Sequence, residues 1–525
     1  MTGTHQAARP DSGSSTVPGP GTAVDVPVVG AGLAGVGLGA RLRRAGRTGF
    51  TVLERADDVG GTWRDNVYPG VACDIPSALY SYSFLPQPAW SRVFAPGAEI
   101  HRYVQDVARS EGLAPHLRLG TALTGARWHD DEAAWHLTTS RGPLIARVLV
   151  TAVGRLSEPR VPDLPGLGTF PGRVFHSARW DRDLPAGLRV GVVGTGASAV
   201  QLVPELARRA ASVVVLQRTP PWVLPRGDRA YAPGEPRPDR AALAAEADRL
   251  FDARRAGSAA EAELRERAEA HLRAHVPDQA LRALLTPDYA VGCKRALFSD
   301  DWYPALQQPH VTLEPSAPVS VEGSTLVAAS GARYEVDVLV LATGFETTRP
   351  PFAHLVAGRG GRTLAEHWAD GMTSHASTVV HGFPNLFVLD GPNAGLGHHS
   401  ALEVIEAQIG YVLGALDHLD RADGPLDVSA AAEAAYTREI DRRAAETVWL
   451  RGGCRSWYVD ERSGRLTLLW PGRAAEYRDR FARFDPAPFG VTDDHAAAAE
   501  RVPILAADAW SSSIETPQPG ARPFW

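Results

Sequence analysis

Two glycine turns, each joining a strand to a helix, constrain the fold of this chain more than any other feature. The first lies in "VDVPVVGAGLAGVGLGARLRRAG", where an apolar run meets Gly30-Ala31-Gly32-Leu33-Ala34-Gly35 and then a helical pattern. A second strand, "GFTVLER", ends at Glu54. In a G-x-G-x-x-G turn, Gly30 permits the tight bend and Gly32 lets backbone approach a pyrophosphate. Gly35 lets helix pack on strand, and the helix N-terminus offers partial positive charge to phosphates. Glu54 can accept from ribose hydroxyls. Pro27 has no N–H for a central ladder, so it is expected near the strand's start or as a distortion of it.

The pattern returns in "LRVGVVGTGASAVQLVPELARRAASVVVLQRTP", with the turn Gly194-Thr195-Gly196-Ala197-Ser198-Ala199. Here Gln217 stands where Glu54 stands, and Arg218 and Thr219 follow it. A carboxylate repels a 2′-phosphate, whereas a neutral amide followed by a guanidinium accepts one. The first turn therefore reads as the seat of an unphosphorylated ribose and the second as the seat of NADPH. Of the 54 Lys plus Arg, one is lysine: Lys294, directly before Arg295. A compact ammonium on a flexible stem can add charge to a 2′-phosphate site and leave Arg295 to point elsewhere.

These units set the fold class: α/β, with two Rossmann-like dinucleotide-binding domains and a helical insertion. Residues 1–23 read as a disordered tail rich in Gly, Pro, Ser and Thr. A first domain is expected over 24–164. A second runs over 165–333, with an Ala/Glu/Arg-rich helical insertion at about 227–290. The first domain resumes over 334–490, opening on the apolar run in "YEVDVLVLATGFETT", and 491–525 is a second tail.

The totals exclude several classes. A net charge of -6 gives no sign of a nucleic-acid partner. No run approaches the ~20 apolar residues of a membrane span, and residues 1–23 lack the apolar core of a signal peptide, so a cytoplasmic enzyme is expected. Cys73, Cys293 and Cys454 form no C-x-x-C pair. That argues against a disulfide scaffold, a zinc site and dithiol reductase chemistry, and no metal is expected.

Several stretches resemble one family. "FPGRVFHSARWD" fits the F-x-G-x-x-x-H-x-x-x-W-D fingerprint of type I Baeyer–Villiger monooxygenases at Phe170, Gly172, His176, Trp180 and Asp181. "GGTWRDNVYPGVACDIPSALYSYSF", "QRTPPWVLPR", "TPDYAVGCKR", "ATGFE" and "CRSWYVD" are also similar to it. The likeness covers about residues 24–485 and is closest to the shorter bacterial members, with flavin-containing monooxygenases as more distant relatives. It implies FAD and NADPH as cofactors, and a ketone and O₂ as substrates. In that chemistry a C4a-peroxyflavin attacks the ketone, and a Criegee intermediate rearranges to an ester or lactone. Oxygenation of a soft sulfur or nitrogen is the alternative.

The resemblance implies roles residue by residue. Arg295 matches the catalytic arginine, and Asp74 the acid that orients it near the flavin. Thr62, Trp63, Arg64, Asp65 and Tyr80 match flavin contacts. Thr195 to Gln201 match the NADP pyrophosphate turn, and Trp457 the aromatic near nicotinamide and substrate. His176 matches a residue coupling the two domains, not a base. The chain departs from the family at His375-Ala376-Ser377, where Tyr-Leu-Gly is common, and His375 is expected at the substrate pocket.

Overall fold

The structure, a computed structural model, describes residues 22–489. The two tails read from the sequence lie outside the described residues, except that Thr22 and Ala23 already belong to a strand, Thr22–Val24.

Two all-parallel five-stranded sheets carry the two glycine turns. The first runs in the order 386–388, 149–151, 26–29, 50–53, 117–118. Strand Val26–Val29 is buried throughout, as an apolar run flanked by strands on both sides must be. Pro27 is its second residue, and pairing to Leu149–Thr151 starts at Val28, so the missing N–H falls at the strand's beginning. The second sheet runs in the order 311–314, 212–216, 189–193, 338–341, 173–176. Strand Val338–Leu341 therefore belongs here, not to the resumed first domain that was expected to open at 334. Four apolar residues announce a buried strand but do not say which sheet buries it.

Between the strands Ser212–Leu216 and Val311–Glu314 the chain leaves the second sheet for the helices Arg240–Arg249, Ala259–His275 and Gln279–Leu285. Each begins at a polar cap. The side chains of Asp239, Ser258 and Asp278 accept from the N–H of Ala242, Glu261 and Leu281, which satisfies backbone donors that the first turn leaves open. Helix Ala401–Leu419 returns to pack on the first unit's helix Leu33–Arg44, where Gly37 lies so close to Tyr82 and Ile409 that any Cβ would collide. No helix among the described residues is long and apolar enough to cross a membrane.

Candidate active site

Both glycine turns open onto one cavity of about 1870 Å³. Gly30 and Gly194 adopt φ of +105° and +109°, and a Cβ on either would meet a carbonyl oxygen, of Ala152 and Ala342, at 2.5 and 2.6 Å. No other residue fits there. A Cβ on Gly196 would meet nothing within 4 Å, and one on Gly32 nothing closer than 3.6 Å. Both turns thus leave open space in front of a helix N-terminus with no acid in its first turn, which is the shape and charge a diphosphate requires. Gly35 and Ala199 do not reach the cavity. Their place is behind it, where a Cβ on Gly35 would stand 1.8 Å from the Gly30 oxygen.

Glu54 lines the first half of the cavity. Its carboxylate accepts from the N–H of Ala31 at 2.9 Å and of Ala56 at 3.0 Å, and pairs with Arg64 at 3.1 Å. Arg64 in turn holds Asp65 at 2.8 Å. These residues, with Thr62, form the short helix Thr62–Asp65 on the cavity wall. Trp63 donates its indole N–H to the Tyr80 hydroxyl at 3.2 Å, the rings meeting edge to face.

In the second half, Arg218, Thr219 and Lys294 face the same space. Thr195 donates its hydroxyl to the Thr219 carbonyl at 3.0 Å. Burial, and then the neighbouring Arg218 cation, hold the Lys294 ammonium below its ordinary range, with Asp288 opposing them. Lys294 also lies 5.0 Å from the Tyr289 ring centre. Gln217 behaves otherwise than its alignment with Glu54 suggests. It is buried, faces away from the cavity, and donates its amide to the Leu284 carbonyl of the insertion at 2.8 Å. Strand alternation puts neighbours on opposite faces, so when Arg218 faces the cavity Gln217 need not.

Where the halves meet, Arg295 and Asp74 form a two-pronged ion pair, Nε to Oδ2 at 2.6 Å and Nη2 to Oδ1 at 2.7 Å. The two side chains keep 27 % and 24 % of their surface open, and both line the cavity. Burial alone would raise the Asp74 pKa. The Arg295 charge and its hydrogen bonds, with Arg226 behind them, hold it below the usual carboxylate range. Burial likewise opposes the Arg295 charge, and Asp74 more than restores it. Gln201 ties the units together: it donates to the Ala72 carbonyl at 2.9 Å and accepts from the Tyr68 hydroxyl at 2.9 Å.

The fingerprint residues lie outside the cavity. Phe170 is core, and Gly172 admits no Cβ, which would stand 2.1 Å from the Asp337 oxygen. Trp180 packs edge-on against Phe175, and Asp181 pairs with Arg173 at 2.6 Å. His176 ends the edge strand Arg173–His176, where its Nδ1 accepts from the Ala178 N–H and its ring meets Phe345, a cavity residue, edge to face. Burial lowers its pKa. Trp457 lines the cavity with 42 % of its surface open and packs beside Tyr458.

Several features escaped the sequence. Tyr458, the neighbour of Trp457, is buried close enough to Arg295 for the guanidinium charge to act on its hydroxyl. Arg226, the last residue of "QRTPPWVLPR", donates to the Cys73 carbonyl at 2.9 Å and lends its charge to Asp74. Cys293 and Cys454 form a single disulfide that no C-x-x-C spacing announced, because the fold joins sulfurs 161 residues apart. His375 does not line the cavity. It packs against Tyr436, and the next two residues, at φ of +51° and +54°, are held beneath helix Ala401–Leu419 by Tyr477, Gln408 and Tyr436.

Comparison with known proteins agrees with this geometry. The profile of the FMO-like, flavin-binding monooxygenase-like family matches residues 23–357. A Baeyer-Villiger monooxygenase of Streptomyces coelicolor is 46% identical over 481 residues, covering 89% of this chain and 92% of its own. One from Pseudomonas aeruginosa is 38% identical, covering 92% and 95%. Among solved structures, steroid monooxygenase bound to NADP superposes with a TM-score of 0.77 at 32% identity, over 88% of this chain and 97% of that one. OTEMO in complex with FAD and NADP superposes with a TM-score of 0.79 at 27% identity, over 87% and 96%. The chain therefore belongs to the flavin-binding monooxygenase-like family and, within it, to the Baeyer–Villiger monooxygenases.

Proposed function

We propose that this enzyme uses NADPH and O₂ to insert oxygen beside a ketone carbonyl, giving an ester or lactone, with FAD at the first glycine turn and NADPH at the second. The observation that carries the reading is the Arg295–Asp74 pair, set where the two halves of the cavity meet. When bound, the flavin supplies activated oxygen to the carbonyl; the protein supplies position and charge.

The chain's own part is electrostatic. Attack on a ketone turns its carbonyl oxygen into an alkoxide. A guanidinium already fixed by two hydrogen bonds stabilises that charge without reorganising, an effect worth roughly 3–4 kcal/mol for one donor. Asp74 keeps Arg295 oriented and neutralises its burial. Glu54 and the Ala31 N–H fix the first turn, while Arg218, Thr219 and Lys294 form a cationic rim suited to a 2′-phosphate. Trp457 covers the nicotinamide side. Oxygen transfer to sulfur forms no alkoxide, so it gives the fixed arginine less to do. On this reading the first domain comprises about 24–164 and 342–489, and the second closes at Leu341.

The test is Arg295→Ala. The variant is expected to let NADPH reduce the flavin and to lose ester formation by 10²-fold or more. Ester formation at the native rate would refute the assignment.

A further inference from the structure

The disulfide between Cys293 and Cys454 ties together two segments of the cavity wall that lie 161 residues apart in sequence. Lys294 and Arg295 follow Cys293 directly, and Trp457 and Tyr458 stand just beyond Cys454. Cys293 is fully buried in a small core with Trp222 and Tyr289, whereas Cys454 is half-buried and opens on the cavity. Each is preceded by a glycine at positive φ, Gly292 at +85° and Gly453 at +76°. Both segments thus reach the bond through backbone that pivots at low cost. Before the bond, the segments are held by the Ala290 N–H donating to the Gly452 carbonyl at 2.8 Å. Beyond it, the covalent bond fixes the distance between the lysine–arginine segment and the tryptophan loop, and the Arg295 charge acts on the Tyr458 hydroxyl across the same joint.

We propose that the Cys293–Cys454 bond is a redox modification site that holds these two segments in register, and that the dithiol form binds the nicotinamide nucleotide less tightly. The proposal rests on the reading of Lys294 and Trp457 given above. The oxidant is hydrogen peroxide, which arises when NADPH and O₂ react without an oxygen acceptor: NADPH + H⁺ + O₂ gives NADP⁺ + H₂O₂. The Cys454 thiolate, the sulfur open to the cavity, attacks one peroxide oxygen; the O–O bond breaks, leaving a sulfenic acid and hydroxide. The Cys293 thiol then attacks the sulfenyl sulfur, the S–S bond forms, and the departing hydroxyl takes the thiol proton as water. Two thiols and one peroxide become one disulfide and two waters. A dithiol reverses the step through a mixed disulfide, ending oxidised itself and leaving two protein thiols. An enzyme starved of its ketone would thereby tighten the site that its own peroxide by-product reports on.

The experiment uses the holoenzyme, treated with dithiothreitol or with hydrogen peroxide and then desalted. Thiol titration in denaturant is expected to find Cys73 alone after peroxide, and all three cysteines after dithiothreitol. Calorimetric NADP⁺ affinity is expected to fall at least fivefold on reduction and to recover on reoxidation. Cys454→Ser is expected to keep the weak affinity under both treatments. Three thiols after peroxide, or equal NADP⁺ affinity for the two states of the native protein, would overturn the proposal, and the native pair decides even if the variant does not fold. Neither readout depends on ketone oxygenation, so a failure of the proposed activity would leave this result intact, and the reverse.

Discussion

The Arg295 guanidinium engages both oxygens of Asp74, at 2.6 and 2.7 Å, across 221 residues of sequence. Asp74→Asn preserves the shape and removes the charge. It is expected to lower oxygenation by about 10²-fold, because the arginine loses its fixed orientation, while NADPH-driven flavin reduction changes far less. Stopped-flow reduction beside product analysis separates the two. Equal loss in both steps would mean that the pair serves folding and not oxygen transfer.

Lys294 and Arg218 share one rim of the cavity and each other's field. Lys294→Ala is expected to raise the Michaelis constant for NADPH about tenfold or more, the worth of a hydrogen bond to a charged group, and to leave that for NADH nearly unchanged. Arg218→Ala should act in the same direction. A parallel rise for both nucleotides would remove the 2′-phosphate from the account.

Gly172 tests the fingerprint. Its virtual Cβ falls 2.1 Å from the Asp337 oxygen and 2.6 Å from the Phe170 ring. Gly172→Ala is expected to destabilise the edge of the second sheet by about 1–3 kcal/mol, the cost of overpacking. Thermal unfolding should show the loss, and the surviving folded enzyme should keep its Michaelis constants. An unchanged melting temperature would contradict the crowding described.

His398 is buried, and its Nε2 lies 3.7 Å from an Asp248 carboxylate oxygen. Burial pushes its pKa down to about 4 from 6.5. Between those values the unfolded chain binds a proton that the folded one refuses, so stability rises with pH. This contribution is fully present above pH 6.5 and is lost as pH falls toward 4. Melting temperatures are expected to decline across that interval in the native protein and less steeply in His398→Gln. Identical slopes would assign the acid sensitivity to other groups.

What the sequence reveals and what it withholds follows a physical division. The glycine turns, their strands and the capped helices of the insertion are local: a φ of +105° or a side-chain cap is decided within a few residues. Most residues singled out for the site duly reach one cavity. The failures are all relations between distant segments. Val338–Leu341 reads as buried, but its sheet depends on which strand lies alongside. Gln217 aligns with Glu54 and yet turns to Leu284, because an insertion the first unit lacks offers it a carbonyl. The disulfide, the action of the Arg295 charge on Tyr458 and the hydrogen bonds that hold Ala376 and Ser377 join residues that no short motif could bring together.

The strand order has one more consequence. The second sheet is complete within residues 173–341, while the first must wait for Leu386–Val388 to pair beside Leu149–Thr151 and for helix Ala401–Leu419 to cover it. On the ribosome, where chain emerges N-terminus first and domains fold as units, the unit that begins first is therefore finished last. The early part of the chain must hold its unpaired strand edge safe until Leu386–Val388 has emerged, after every strand of the second sheet.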